Sequence, residues 1–214
     1  MDNGQRRFWL LPLMAVVWNQ LVYGGGQFLT RNVPHLSLEL GMDRVIPFLP
    51  WTVSIYLGCF LFWTVLYLLF ARQDRAFAYR FFCADLLAKG VCLLFFLLLP
   101  TTNLRPPVPG DSLWDHLMRF VYQVDPPSNL FPSIHCLVSW FCFIGARSCR
   151  RFPPCAVVFT GATAVLICLS TLTTRQHVMA DVMGGILLAE ISWKAAGHPK
   201  IFRRFSRCMD YIVS

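Results

Sequence analysis

Six apolar blocks constrain what this chain can become: Phe8–Phe28, Pro50–Ala71, Phe81–Leu99, Ser133–Cys149, Pro154–Thr173 and Gln176–Ala196. A helix needs about 20 predominantly apolar residues to cross the roughly 30 Å hydrocarbon core of a bilayer. Only 14% of the 214 residues are charged and 56% are hydrophobic, whereas a soluble domain carries about a quarter charged residues. The 19 Phe and 7 Trp suit lipid-facing and interfacial surfaces. The expectation is an all-α integral membrane protein: a six-transmembrane-helix bundle forming a single membrane domain over residues 1–214. The first block lacks an Ala-x-Ala-like cleavage site, so it reads as a retained helix rather than a signal peptide.

The basic residues set the orientation. With the amino terminus inside, the inner segments hold thirteen: Arg6, Arg7, Arg72, Arg75, Arg80, Arg147, Arg150, Arg151, Lys194, Lys200, Arg203, Arg204 and Arg207. The outer segments hold five: Arg31, Arg44, Arg105, Arg119 and Arg175. Under the positive-inside rule this bias puts both termini in the cytoplasm. The net charge of +8 is spread between apolar blocks and not gathered on one surface, which argues against a nucleic-acid partner. Cys59, Cys83, Cys92, Cys136, Cys142 and Cys168 fall well inside apolar blocks without metal-ligand spacing, so the cysteines read as free, buried thiols.

One outer loop is long, residues 100–132. Its first part is broken repeatedly by proline. Over Ser112–Val124, Leu113, Trp114, Leu117, Phe120, Val121 and Val124 recur at helical spacing opposite Asp115, His116, Arg119 and Gln123. That pattern predicts a short helix in the interface plane. A weaker candidate covers His35–Ile46.

Two polar segments interrupt this outer face. Asn129-Leu-Phe-Pro-Ser-Ile-His135 opens the fourth block, and Ser170-Thr-Leu-Thr-Thr-Arg-Gln-His177-Val-Met-Ala-Asp181 joins the fifth to the sixth. Polar residues at such positions usually line a site rather than face lipid. His177 and Asp181, four apart, share a helix face. A carboxylate bonded to one imidazole nitrogen fixes the tautomer and leaves the other nitrogen free as a nucleophile. A second imidazole, His135, can serve as general acid and base. Arg105, Arg175, Ser133 and the backbone amides opening the fourth span can meet phosphoryl oxygens. The same His-x-x-x-Asp spacing could also be a structural hydrogen bond or half of a metal site.

The Pro132-Ser133-Ile134-His135 and Ser170-to-Asp181 segments resemble the Pro-Ser-x-His and Ser-Arg-x5-His-x3-Asp motifs of the type 2 phosphatidic acid phosphatase superfamily, nearest its sphingomyelin and inositol phosphorylceramide synthase branch. The resemblance runs from about Leu86 onward. It implies a six-helix core with the site at one face, metal-free phosphoryl transfer without a cofactor, His177 forming a phosphohistidine, His135 as general acid and Asp181 as the orienting carboxylate. Two departures stand out. Thr171 occupies the place of a phosphate-binding Arg, and of the Lys-x6-Arg-Pro motif only Arg105-Pro106 is present. The nearest upstream lysine, Lys89, lies well inside the third span, where an ion pair with Glu190, Asp85 or both is expected.

The expected function is a lipid phosphate phosphatase. The alternatives are a phospholipid headgroup phosphotransferase and, in another class, a transporter using the same residues as a proton path. The partners are the lipid bilayer and a membrane lipid phosphate or phospholipid substrate. In a bacterial cytoplasmic membrane the active site would face outside.

Overall fold

The protein is seen in a computed structural model that describes the backbone of residues 3–213 and the side chains of residues 8–212. The side chains of Arg6 and Arg7, counted above on the inner side, lie outside the described residues. In chain order the elements are α1 (Asn3–Thr30), β1 (Leu36–Ser37), α2 (Val53–Ala71), α3 (Arg75–Leu98), β2 (Thr101–Thr102), α4 (Leu113–Val124), α5 (Ile134–Ser148), α6 (Pro154–Thr173), α7 (Met179–Ala196) and α8 (Pro199–Val213). Each apolar block of the sequence is a helix. Four of them, Phe8–Thr30, Pro50–Ala71, Arg75–Leu98 and Pro154–Thr173, are long and apolar enough to cross a membrane. α5 has 15 residues, and the 18 residues of α7 include Asp181, Glu190 and Lys194.

Local chemistry sets the helix ends. Asp74 caps α3 by accepting from the Phe77 amide at 3.0 Å, and such a cap is worth about 1 kcal/mol. Because only Arg72–Asp74 separate α2 from α3, the two helices run antiparallel. Pro154 starts α6, where its missing N–H costs nothing. α4 forms where the amphipathic spacing predicts it. Ser112 and Asp115 cap it reciprocally, and it buries Met118 and Val121 against Val53 and Tyr56.

The helix considered over His35–Ile46 does not form. That stretch is a parallel bridge, Leu36 to Thr101 and Ser37 to Thr102, followed by a 3-10 turn at Gly41–Val45. Asp43 diverts the local backbone: its carboxylate accepts from the amides of Leu40 and Met179, both at 2.7 Å. Side-chain bonds of this kind compete with helix formation.

α3 is central, packing on α1, α7, α8 and α5, while α5 also packs on α6 and α7. Phe70, Phe81, Phe82 and Phe141 are fully buried at the middle of the bundle. Lys89 sits in this interior. Its ammonium donates to Asp85 at 2.9 Å and to the Ala15 carbonyl at 3.3 Å, and Asp85 also accepts from the Tyr67 hydroxyl at 2.7 Å. The pair thus ties α3 to α1 and α2. Glu190, the other partner expected for Lys89, is taken instead by Arg147 at 2.7 Å and Trp140 at 2.8 Å, which joins α7 to α5.

Removing one member of a buried ion pair costs about 3–5 kcal/mol, because the other charge stays uncompensated. Lys89→Met will lower the thermal unfolding midpoint in detergent. Adding Asp85→Asn, which removes the stranded charge and keeps an acceptor for Tyr67, will recover most of the loss.

Candidate active site

The site forms where the N-terminal ends of α5 and α7 meet. A Cβ on Gly185 would lie 2.6 Å from the Ser133 carbonyl oxygen, so only glycine lets α7 approach α5 this closely. The same contact is fastened by the Ser133 amide donating to the Asp181 carbonyl at 3.1 Å. Ser133 also caps α5, its hydroxyl accepting from the Cys136 amide at 3.2 Å. His135 therefore stands in the first turn of α5. The link from α6 to α7 folds back because the Thr171 carbonyl accepts from the amides of Gln176 at 2.9 Å and His177 at 3.1 Å. Arg175 takes a left-handed conformation in this link, at φ 56°, a costly geometry for a residue with a side chain.

His177 precedes the first residue of α7. Its Nδ1 is 3.2 Å from Asp181 Oδ2, which also accepts from the Val178 amide at 3.0 Å. One carboxylate oxygen thus fixes both the imidazole and the start of the helix. Asp181 Oδ1 is buried and unpaired. The His135 ring lies 5.7 Å from that of His177, centroid to centroid, against Tyr56 at 4.7 Å and Trp63 at 5.5 Å. An imidazole with one nitrogen held by a carboxylate, facing a second imidazole, can support nucleophilic attack with general acid help.

His177 borders two chambers. The outer one, about 380 Å³, is lined by Arg44, Asn103, Arg105 and Arg175. The inner one, about 340 Å³, is lined by Tyr23, Tyr56, Trp63, Asp125, His135 and Gln176. Arg105 lies between them. It donates to the Asp125 carbonyl at 2.5 Å and the Gln176 side-chain oxygen at 2.6 Å, and its guanidinium stacks 4.6 Å from the centre of the Tyr122 ring. Burial lowers the Arg105 pKa from the ordinary arginine value. Burial also pushes the Tyr122 hydroxyl up to about 12, against the pull of Arg105 and Arg175.

The other two expected phosphate ligands are placed differently. Arg175 lines the outer chamber, but two of its N–H groups donate at 2.6 Å to the carbonyls of Asp43 and Ile46. Ser133 is fully buried as a helix cap. Thr171 lies buried beneath the site, 3.7 Å from the Cys136 sulfur.

Sequence reasoning missed Asp125. Its carboxylate accepts from the hydroxyls of Tyr23 and Tyr56 inside the inner chamber. No local pattern signals it, because the partners come from α1 and α2. Five of the nine buried side-chain atoms left unpaired among the described residues cluster here: Asn103 Oδ1, Arg105 Nε, Asn129 Nδ2, Gln176 Nε2 and Asp181 Oδ1. Buried polar groups are nearly always bonded, so such a cluster marks a place where a polar ligand binds. Among the described residues no group of three or more His, Cys, Asp and Glu could hold a metal ion.

A family model described as the PAP2 superfamily matches residues 36–195, three quarters of the chain. The chain belongs to the PAP2 superfamily. Its chemistry is therefore phosphatase-type phosphoryl transfer in the general sense of that superfamily. The match begins well before Leu86, at β1, and takes in α2 through α7 with both histidines and Asp181. No individual curated protein and no solved structure matches the chain.

Gly185→Val will force α7 away from the Ser133 carbonyl. Overpacking of this kind costs about 1–3 kcal/mol. The unfolding midpoint will fall, and phosphoryl-transfer activity will fall further than the stability loss accounts for, because His177 and His135 separate.

Proposed function

We propose that this PAP2 protein is a metal-independent lipid phosphate phosphatase working through a phosphohistidine on His177. The observation that carries the reading is the facing pair of imidazoles, with ring centroids 5.7 Å apart. One is oriented by Asp181, and both border a chamber at the mouth of the bundle. With Nδ1–H donated to Asp181, His177 Nε2 is the nucleophile. It attacks phosphorus as the bond to the lipid oxygen breaks, and His135 gives its proton to the leaving alkoxide. Water then attacks the phosphohistidine, passing a proton back to His135 and freeing phosphate. Arg105 and the free N–H groups of Arg175 and of the first turn of α5 neutralise the phosphoryl oxygens, with Ser133 setting that turn.

In this reading all six apolar helices span the membrane. Both termini are cytoplasmic, α4 lies in the interface, and the site faces outside, as in a bacterial cytoplasmic membrane. The three residues Arg72–Asp74 turn the chain between α2 and α3, consistent with alternating spans. The carboxylate of Asp125 favours a second reading, transfer of a phospho-headgroup to a lipid alcohol. A carboxylate inside the chamber can accept a hydrogen bond from an acceptor hydroxyl, whereas it repels a dianionic phosphate.

Purified protein in mixed micelles with a panel of lipid phosphates, assayed for free phosphate and lipid products together, distinguishes the two. Release of phosphate marks the phosphatase, and a new phospholipid marks the transferase. His177→Ala will abolish both products; full activity in that variant would sink the proposal. His135→Ala will slow turnover by about 10² to 10⁴. A chelator will leave the wild-type rate unchanged.

A further inference from the structure

Below the inner chamber, between α1 and α2, a second cavity of about 530 Å³ runs toward the start of α1 and the end of α2. The two cavities share four wall residues, Asn19, Gln20, Phe60 and Trp63. They therefore adjoin, and together they line one crevice leading away from the histidines along α1 and α2. Its lower walls are apolar, with Leu13 and Val16 on α1 and Leu68 on α2, and both α1 residues are 60% exposed. Tyr67 and Lys89, held by the bonds to Asp85, also line its wall. From Tyr56 to Leu68 the crevice follows twelve residues of α2, about 18 Å at 1.5 Å per residue. That is more than half of the roughly 30 Å hydrocarbon thickness.

The reacting groups are sorted along the same line. The basic residues Arg105 and Arg175 line the outer chamber, His135 lines the inner chamber, and His177 lines both. A substrate with its phosphate among the arginines and its lipid oxygen at His135 can extend its chain only downward, into the crevice. At the junction stand two side-chain amides, Asn19 and Gln20. No hydrogen bond joins either to another described residue, and Gln20 is exposed. Polar groups at membrane depth are costly and mark function by default.

We propose that the α1–α2 crevice holds one hydrocarbon chain of the substrate lipid, and that Asn19 and Gln20 bind the ester, hydroxyl or amide groups of its backbone. The inference rests on the phosphatase reading for its chemistry and adds the substrate class: glycerol- or sphingoid-based lipid phosphates over polyprenyl phosphates.

The test uses full-length protein with dipalmitoyl and dihexanoyl phosphatidic acid. Thr64 lines the crevice, exposed and away from the histidines, so Thr64→Trp fills the crevice and leaves the reacting groups alone. Val16→Trp fills it from α1, guarding against a fold defect in either variant. Both will lower kcat/KM for the dipalmitoyl lipid by at least about tenfold, as expected when two or more methylenes lose their burial. The dihexanoyl rate will stay at the wild-type level. Asn19→Leu will slow hydrolysis of dipalmitoyl phosphatidic acid and spare undecaprenyl phosphate. Equal loss on both chain lengths, or no loss on either, overturns the crevice. Equilibrium binding of the same two lipids to His177→Ala reads the crevice even where turnover is absent. Tighter binding of the long-chain lipid, lost in the Thr64→Trp, His177→Ala double variant, supports the crevice apart from the chemistry; no difference refutes it. Dihexanoyl hydrolysis that survives in His177→Ala refutes the phosphohistidine and leaves the crevice standing.

Discussion

The contact of α7 with α5 at Gly185 is the constraint on which the rest of the site depends. A hydrogen in place of a side chain lets the Ser133 carbonyl rest against α7. It also lets the Ser133 amide reach the Asp181 carbonyl. The two helices then bring their N-terminal ends together, one carrying His135 in its first turn and the other led by His177. Helices in a bilayer gain no hydrophobic benefit from leaving lipid, so close backbone approach through small residues supplies the association energy. Here that approach also sets the distance between two imidazoles. Asp181 serves both ends, capping α7 through the Val178 amide and orienting His177 with the same oxygen.

Charge inside the bundle is handled by the same logic. Lys89 is compensated by Asp85 with Tyr67, Glu190 by Arg147 with Trp140, and the Asp125 carboxylate is bonded by Tyr23 and Tyr56. Each cluster joins two or more helices, so satisfying a charge and fixing the bundle are one event. Around the site the pattern reverses, and Asn103, Arg105, Asn129, Gln176 and Asp181 each keep a buried polar atom without a partner. Unpaired polarity in a dry setting is costly. Its concentration beside two histidines is what preorganised electrostatics for a charged transition state require.

The two chambers that meet at His177 differ in chemistry. Arginines line the outer one, while aromatic rings and His135 line the inner one. His177 borders both.

The sequence by itself determined the helices and the pairing of His177 with Asp181, since apolar block length and four-residue spacing are local properties read directly from order along the chain. It also foretold α4, whose amphipathic spacing and Ser112–Asp115 cap are contained in one short stretch. It missed the loss of helix over His35–Ile46, because Asp43 reaches the amide of Met179, 136 residues away. Only the tertiary structure decided that Lys89 takes Asp85 while Glu190 takes Arg147, that Asp125 joins the chamber, and that Arg175 spends two donors on the loop carbonyls. Asp125 meets Tyr23 and Tyr56 across separations of 102 and 69 residues, and the α1–α2 crevice exists only once those helices are set side by side. Such contacts follow from which helix faces can approach, and nothing in the local order of residues encodes that distance.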